Sequence, residues 1–154
     1  MNDLKMIMFD MHKPIIGKVQ GNCLAGGTDL ALLCDMLIVA TDARIGFPAT
    51  RSQGSQPNHL WLHHVGPQWA KRLLMTGDAI RGRDAVRIGL ALKAVDPGRL
   101  DQEVDDLARR IALVDADLLS AQKRIVNLGL ELMGARTMQR IASEMDACAH
   151  LSQG

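Results

Sequence analysis

His12-Lys13-Pro14-Ile15-Ile16-Gly17-Lys18-Val19-Gln20-Gly21-Asn22-Cys23-Leu24-Ala25-Gly26-Gly27-Thr28-Asp29-Leu30-Ala31-Leu32-Leu33-Cys34-Asp35 reads as a strand, a glycine turn and a helix in succession. Pro14 to Gln20 has the β-branched content of a strand, and Gly21 ends it. After Asn22-Cys23-Leu24-Ala25, the pair Gly26-Gly27 leads into Thr28 through Cys34, whose Ala and Leu favour helix. Glycines permit close backbone approach, and a helix behind them aims unpaired N–H groups and its positive dipole end at whatever sits there. A backbone oxyanion site is built in this way, because such donors act on charge that develops in a transition state. Close strand-to-helix packing needs the same glycines, so the turn alone leaves both roles open.

Outward from this segment, Met36 to Ala40 is a short, wholly apolar run suited to a strand buried on both faces, and Ala43 to Phe47 continues or neighbours it. Pro48 stops the sheet pattern, and Thr50 to Pro57 is polar enough for a loop. Asn58 to Val65 and Gln68 to Met75 read as short helices parted by Gly66-Pro67, with Thr76-Gly77-Asp78 as a turn. Arg83 to Ile88 is a helix stopped by Gly89, and Leu92 to Val95 a brief strand. Leu100, Val104, Leu107, Ile111 and Val114 recur at helical spacing, predicting one helix with a buried stripe. Asp117 is placed to cap a further helix through Leu132, with Leu118, Leu119, Ile125, Leu128 and Leu132 on its apolar side. A last helix is expected from about Arg136 to His150, with Met138, Ile141, Met145 and Ala149 at helical spacing. The first ten residues carry no clear start signal for an element.

The 154 residues are enough for one core, with 47% hydrophobic and 23% charged residues in the ordinary globular balance. Eighteen basic and seventeen acidic side chains give a net charge of +1, with two Phe, two Trp and no Tyr. That is no electrostatic or stacking footprint for nucleic acid. Cys23, Cys34 and Cys148 are odd in number and lack metal-type spacing, so reduced thiols, no metal site and a cytoplasmic setting are expected. Met6-Ile7-Met8-Phe9 is too short for a signal core, and no apolar run approaches membrane-spanning length.

The opening segment resembles the signature of the crotonase family, the enoyl-CoA hydratases and isomerases. There Lys-Pro opens a strand, a Gly follows it, a glycine turn enters a helix and Asp closes the run. The likeness continues through Ala43-Arg44-Ile45-Gly46-Phe47-Pro48, Leu74-Met75-Thr76-Gly77-Asp78 and Gly89-Leu90. The resemblance implies an α/β fold: a partial ββα spiral over 1–97, lacking an N-terminal part, followed by C-terminal helices over 98–154 that assemble trimers or hexamers. It implies an acyl-CoA thioester as substrate and no separate cofactor. Gly26 would be one oxyanion donor, the second donor coming from a region not in these residues. Leu24, Ala25, Gly27, Ala49 and Arg51 would border the substrate.

The departures from that pattern bear on chemistry. Hydratases of the family hold water between two Glu carboxylates, at positions occupied here by Asp29 and Ala49. Asp29 keeps a carboxylate one methylene shorter; Ala49 transfers no proton. The first glycine of the turn is Ala25. Read without the resemblance, Asp29 is equally a first-turn carboxylate favoured by the helix dipole. Asp35 reads as structural, ending its helix and capping the next turn. His59, His63 and His64 crowd one short helix, as a solvated face or as a substitute base. Arg51 reads as a surface arginine or an anion contact, and Lys71 and Arg72 as solvated. The expectation is a hydratase-like lyase, with isomerase, decarboxylase or C–C hydrolase chemistry open. The rival is a non-catalytic or truncated binding and assembly subunit.

Overall fold

A computed structural model of the chain describes residues 2–52 and 60–151. β1 (Ile16–Val19), β3 (Met36–Ala40) and β6 (Lys93–Val95) form a parallel sheet with β3 central. In the second sheet β2 (Asn22–Leu24) runs parallel to β4 (Arg44–Gly46), which pairs antiparallel with β5 (Ala79–Arg81). The chain lays one strand in each sheet and then a helix: β1, β2 and α2 (Gly26–Ala31), then β3, β4 and α3 (Leu60–Thr76). This is the ββα spiral, α/β in class, that the opening segment implied. The third pass, β5, α4 (Gly82–Arg87) and β6, reverses the sheet order.

The all-apolar run of β3 takes the position buried on both faces, with Leu37 to Ala40 at most 4% exposed. Two glycines are demanded by close approach: a Cβ on Gly46 would meet the Asp78 carbonyl, and one on Gly82 the Ala40 carbonyl. α3 is broken at Gly66, φ 72° and ψ 173°, just before Pro67, where the sequence parted two helices. Trp61 and Leu73, one from each half, are fully buried.

Four places differ from the sequence reading. The unassigned N-terminus forms α1 (Asn2–Asp10), burying Met6 and Phe9. Its last carbonyls are taken from afar: Lys123 Nζ donates to Met8 O at 3.1 Å and Asn127 Nδ2 to Phe9 O at 2.7 Å. β5 follows the Gly77 turn as a short edge strand with no apolar alternation to announce it. The helix α6 (Ala116–Leu132) is capped by Asp115, not Asp117: the Asp115 carboxylate accepts from the N–H groups of Asp117 and Leu118. A 3₁₀ helix at Pro48–Ser52 takes in the first residues, Thr50 to Ser52, of the expected loop; the remainder of that loop, the expected helix start at Asn58, and His59 lie outside the described residues.

α5 (Leu100–Ala112) buries Leu100, while Val104, Leu107 and Ile111 are half-buried and Val114, 41% exposed, falls beyond the helix end. On α6 the apolar side is turned outward, with Ile125 at 66%, Leu128 at 56% and Leu132 at 82% exposure. α7 (Ala135–Leu151) likewise exposes Ile141 and Met145. The one residue that α6 buries is Lys123. Its ammonium bonds the Asp35 carboxylate at 2.9 Å and Lys13 O at 3.2 Å. Asp35 Oδ2 also accepts the Ile15 N–H at 2.6 Å. Asp35 is structural, but not by ending its helix or capping the next turn as read: α2 stops at Ala31, and the carboxylate is the floor of a clamp holding α6 against the entry to β1. The three cysteines are free thiols, Cys23 buried and Cys148 exposed. Among the described residues no helix is long and apolar enough to cross a membrane.

Candidate active site

The parallel pairing of β2 with β4 puts Leu24 opposite Gly46, and the ladder ends with Ala25 N–H donating to Gly46 O at 3.1 Å. This register sets the glycine turn beside the segment running through Phe47 and Pro48 to Ala49. The sequence-predicted Leu24, Ala25, Gly26 and Gly27 therefore lie at one end of the second sheet, and Ala49 follows three residues after the strand end at Gly46. Leu24, Ala25 and Ala49 are half-buried, while Gly26 and Gly27 are exposed.

Ala25 turns the chain with φ 48° and ψ −116°. Its carbonyl then accepts Thr28 N–H at 2.9 Å, Asp29 N–H at 3.3 Å and the Thr28 hydroxyl at 2.6 Å. Because N–H and C=O of a trans peptide point in opposite directions, a carbonyl drawn back into α2 sends the Gly26 N–H outward. Among the described residues neither Gly26 N–H nor Gly27 N–H has an acceptor, and no side chain caps the turn. A Cβ on Gly26 would meet nothing within 4 Å, in keeping with the exposed position of this residue.

Asp29 lies one helical turn after Gly26 on the same flank of α2, but it is 4% exposed, whereas Gly26 is exposed. Ala49 sits in the 3₁₀ helix with a methyl group where a proton carrier was sought. Arg51 leaves the same helix to bond Thr76 O at 2.8 Å and the Asp78 carboxylate at 2.6 Å, and Arg72 reaches the other Asp78 oxygen at 3.2 Å. The Arg51 side chain remains 61% exposed, so this ion pair is a rim contact worth at most about 1 kcal/mol.

His64 is held by the protein itself, with Nε2 3.0 Å from Leu32 O, and burial pushes its pKa down. Burial also lowers His63, whose Nε2 has no partner among the described residues. Lys71 and Arg72 are exposed, as read. Sequence reasoning missed Thr28, which is fully buried with its hydroxyl on the Ala25 carbonyl. Its place three residues after Ala25 was the available signal, since a Thr near a helix start bonds a nearby backbone group. Among the described residues no three His, Cys, Asp or Glu side chains are grouped to hold a metal.

Comparison with known proteins bears on this arrangement. The sequence profile of the enoyl-CoA hydratase/isomerase family matches residues 1–150. A crotonyl-CoA hydratase of Syntrophomonas wolfei is 36% identical over 141 residues, 90% of this chain and 54% of that protein. A short-chain-enoyl-CoA hydratase of Clostridioides difficile is 33% identical over 123 residues, 77% of this chain and 78% of that protein. The crystal structure of an enoyl-CoA hydratase from Mycobacterium smegmatis superposes with a TM-score of 0.92 at 40% identity, covering 96% of this chain and 51% of that one. The chain spans about half the length of most of the curated relatives it matches. With the profile running from Met1 to His150 and the spiral matched over nearly its whole length, the chain belongs to the enoyl-CoA hydratase/isomerase family.

Proposed function

We propose that these residues carry the acyl-CoA site of a hydratase-like lyase. The single observation behind this reading is the outward Gly26 N–H, set by a carbonyl that three donors hold in the opposite direction. A CoA thioester oxygen placed against it gains most as the carbonyl becomes an enolate. Asp29 is the carboxylate that moves the proton or holds the water. Leu24, Ala25 and Gly27 line the thioester, and Ala49 and Arg51 border it. Coenzyme A arrives as part of the substrate, so no separate cofactor takes part. The relatives named crotonyl-CoA and short-chain-enoyl-CoA hydratases direct the reading to short enoyl thioesters in cytoplasmic fatty-acid or related acyl-CoA metabolism. The methyl of Ala49 favours family chemistry that needs one carboxylate, such as isomerisation, decarboxylation or C–C hydrolysis, over efficient hydration. It also supports a second reading, a non-catalytic crotonase-like assembly subunit.

The spiral over 1–97 holds the site, and the helices over 98–154 serve assembly. The outward apolar residues Ile125, Leu128 and Leu132 support a trimer or hexamer with other copies. Light scattering should return such a mass, and a stable monomer would count against it. The activity test is a panel of enoyl- and 3-oxoacyl-CoA esters, assayed with the 154-residue chain alone and with an N-terminal polypeptide of the family added. Alone, the chain should show no appreciable turnover, since a single donor forfeits about 10²–10³ in rate and the positioning walls are incomplete. Addition should restore turnover, and Gly26→Pro, which deletes the N–H, should abolish it. Robust turnover by the chain alone would overturn the two-part site. Turnover indifferent to Gly26→Pro would overturn the role of Gly26.

A further inference from the structure

The setting of the peptide between Ala25 and Gly26 decides whether the Gly26 N–H faces outward, and in this structure it does so at the cost of an unusual backbone conformation at Ala25. Ala25 is the sole non-glycine residue with positive φ among the described residues, at φ 48° and ψ −116°. Those angles belong to the first central position of a type II′ turn, where a Cβ is strained and glycine dominates. Rotating the Ala25–Gly26 peptide by about 180° would bring ψ to about +64°, beside the left-handed helical region that an L residue tolerates. The flip would relax Ala25 and swing the Gly26 N–H to the far side. Gly26, exposed and without a Cβ, accepts the matching change in its own φ. The preceding peptide stays anchored, because Ala25 N–H is bonded to Gly46 O.

What resists the flip is the set of bonds to the Ala25 carbonyl, of which the Thr28 hydroxyl at 2.6 Å is the shortest. Thr28 is 0% exposed, so water does not compete for its hydroxyl, and losing the Ala25 acceptor would leave that hydroxyl buried and unsatisfied. We infer that Thr28 is a positioning residue: its hydroxyl holds the Ala25–Gly26 peptide in the strained setting that aims the Gly26 N–H at the thioester oxygen. The role rests on reading Gly26 as an oxyanion donor, and Thr28 itself touches no reacting atom. The chain thus combines a residue that strains the turn, Ala25, with one that secures it.

The test uses the reconstituted or intact polypeptide carrying these residues. Thr28→Val should lower kcat about tenfold, short of the roughly 10²–10³ lost when a donor is deleted outright, with KM within about twofold of the parent. Thr28→Ser, which keeps the hydroxyl, should stay near the parent. Ala25→Gly removes the strain, so the Ala25→Gly/Thr28→Val double variant should recover most of the loss. The same series is read without substrate by the Gly26 amide resonance in a ¹⁵N–¹H spectrum. It should shift or double in Thr28→Val and return in the double variant. Should Thr28→Val fail to fold, Thr28→Ala carries the same comparison. A folded Thr28→Val with unchanged kcat and an unmoved Gly26 resonance would overturn the inference, as would equal losses in Thr28→Val and Thr28→Ser. Activity indifferent to Gly26→Pro would instead overturn the oxyanion reading beneath it.

Discussion

Replacing Lys123 with methionine should destabilise the folded chain by about 2–4 kcal/mol, although the residue lies on a helix that exposes Ile125, Leu128 and Leu132. Methionine preserves most of the apolar stem and its packing, so the loss is confined to the ammonium. That group donates to Asp35 Oδ2 at 2.9 Å, Met8 O at 3.1 Å and Lys13 O at 3.2 Å. The Lys123 side chain is 5% exposed and that of Asp35 19%. Breaking a fully buried pair from one side costs about 3–5 kcal/mol, because the remaining charge stays buried. Asp35 keeps the Ile15 N–H and some water, which lowers the expected figure to about 2–4 kcal/mol. At about 2–4 °C per kcal/mol for a domain of this size, Tm should fall by roughly 4–16 °C. Urea unfolding followed by circular dichroism gives the free energy, and calorimetry the Tm. A cycle with Asp35→Asn should show a coupling of about 0.5–3 kcal/mol. Loss of less than about 0.5 kcal/mol in Lys123→Met, or strict additivity in the cycle, would refute the clamp.

Two further outcomes are expected. In the intact or reconstituted polypeptide, Ala49→Glu should raise crotonyl-CoA hydration by at least about tenfold, a modest part of the 10²–10⁴ that a positioned acid or base supplies; efficient hydration by the unmodified protein would assign the task elsewhere, His63 and His64 being the first residues to replace. Burial lowers the His64 pKa in the folded state, so the folded state favours neutral imidazole and protonation favours unfolding. Stability should be fully present above about pH 6.5 and fall as pH drops through that value toward the lowered folded pKa. Tm measured from pH 7.5 to 5.5 should decline more steeply in the parent than in His64→Gln, and equal slopes would refute this assignment.

The glycine turn, the buried β3 strand, the break at Gly66-Pro67 and the five later helical segments were legible in the sequence because each is governed by local chemistry. Backbone freedom, continuous apolarity and helical spacing act within a few residues. Gly26 and Asp29 were likewise legible as site candidates, since the turn motif places them directly. α1 was not, because its carbonyls are satisfied by Lys123 and Asn127, 115 and 118 residues away. The buried Lys123 was not either: a lysine on a helix reads as solvated until the backbone oxygens that surround it are in place. Residue spacing made the apolar side of α6 visible, yet only the packed structure decided that α1, the β1 entry and Asp35 take Lys123 while Ile125, Leu128 and Leu132 stay outside. The strained setting of the Ala25 peptide and the hydroxyl that opposes its release depend on β2 and β4 being in register. That register is a relation between strands about twenty residues apart in the chain; local propensity sets the elements, but long-range pairing sets which way a single peptide faces.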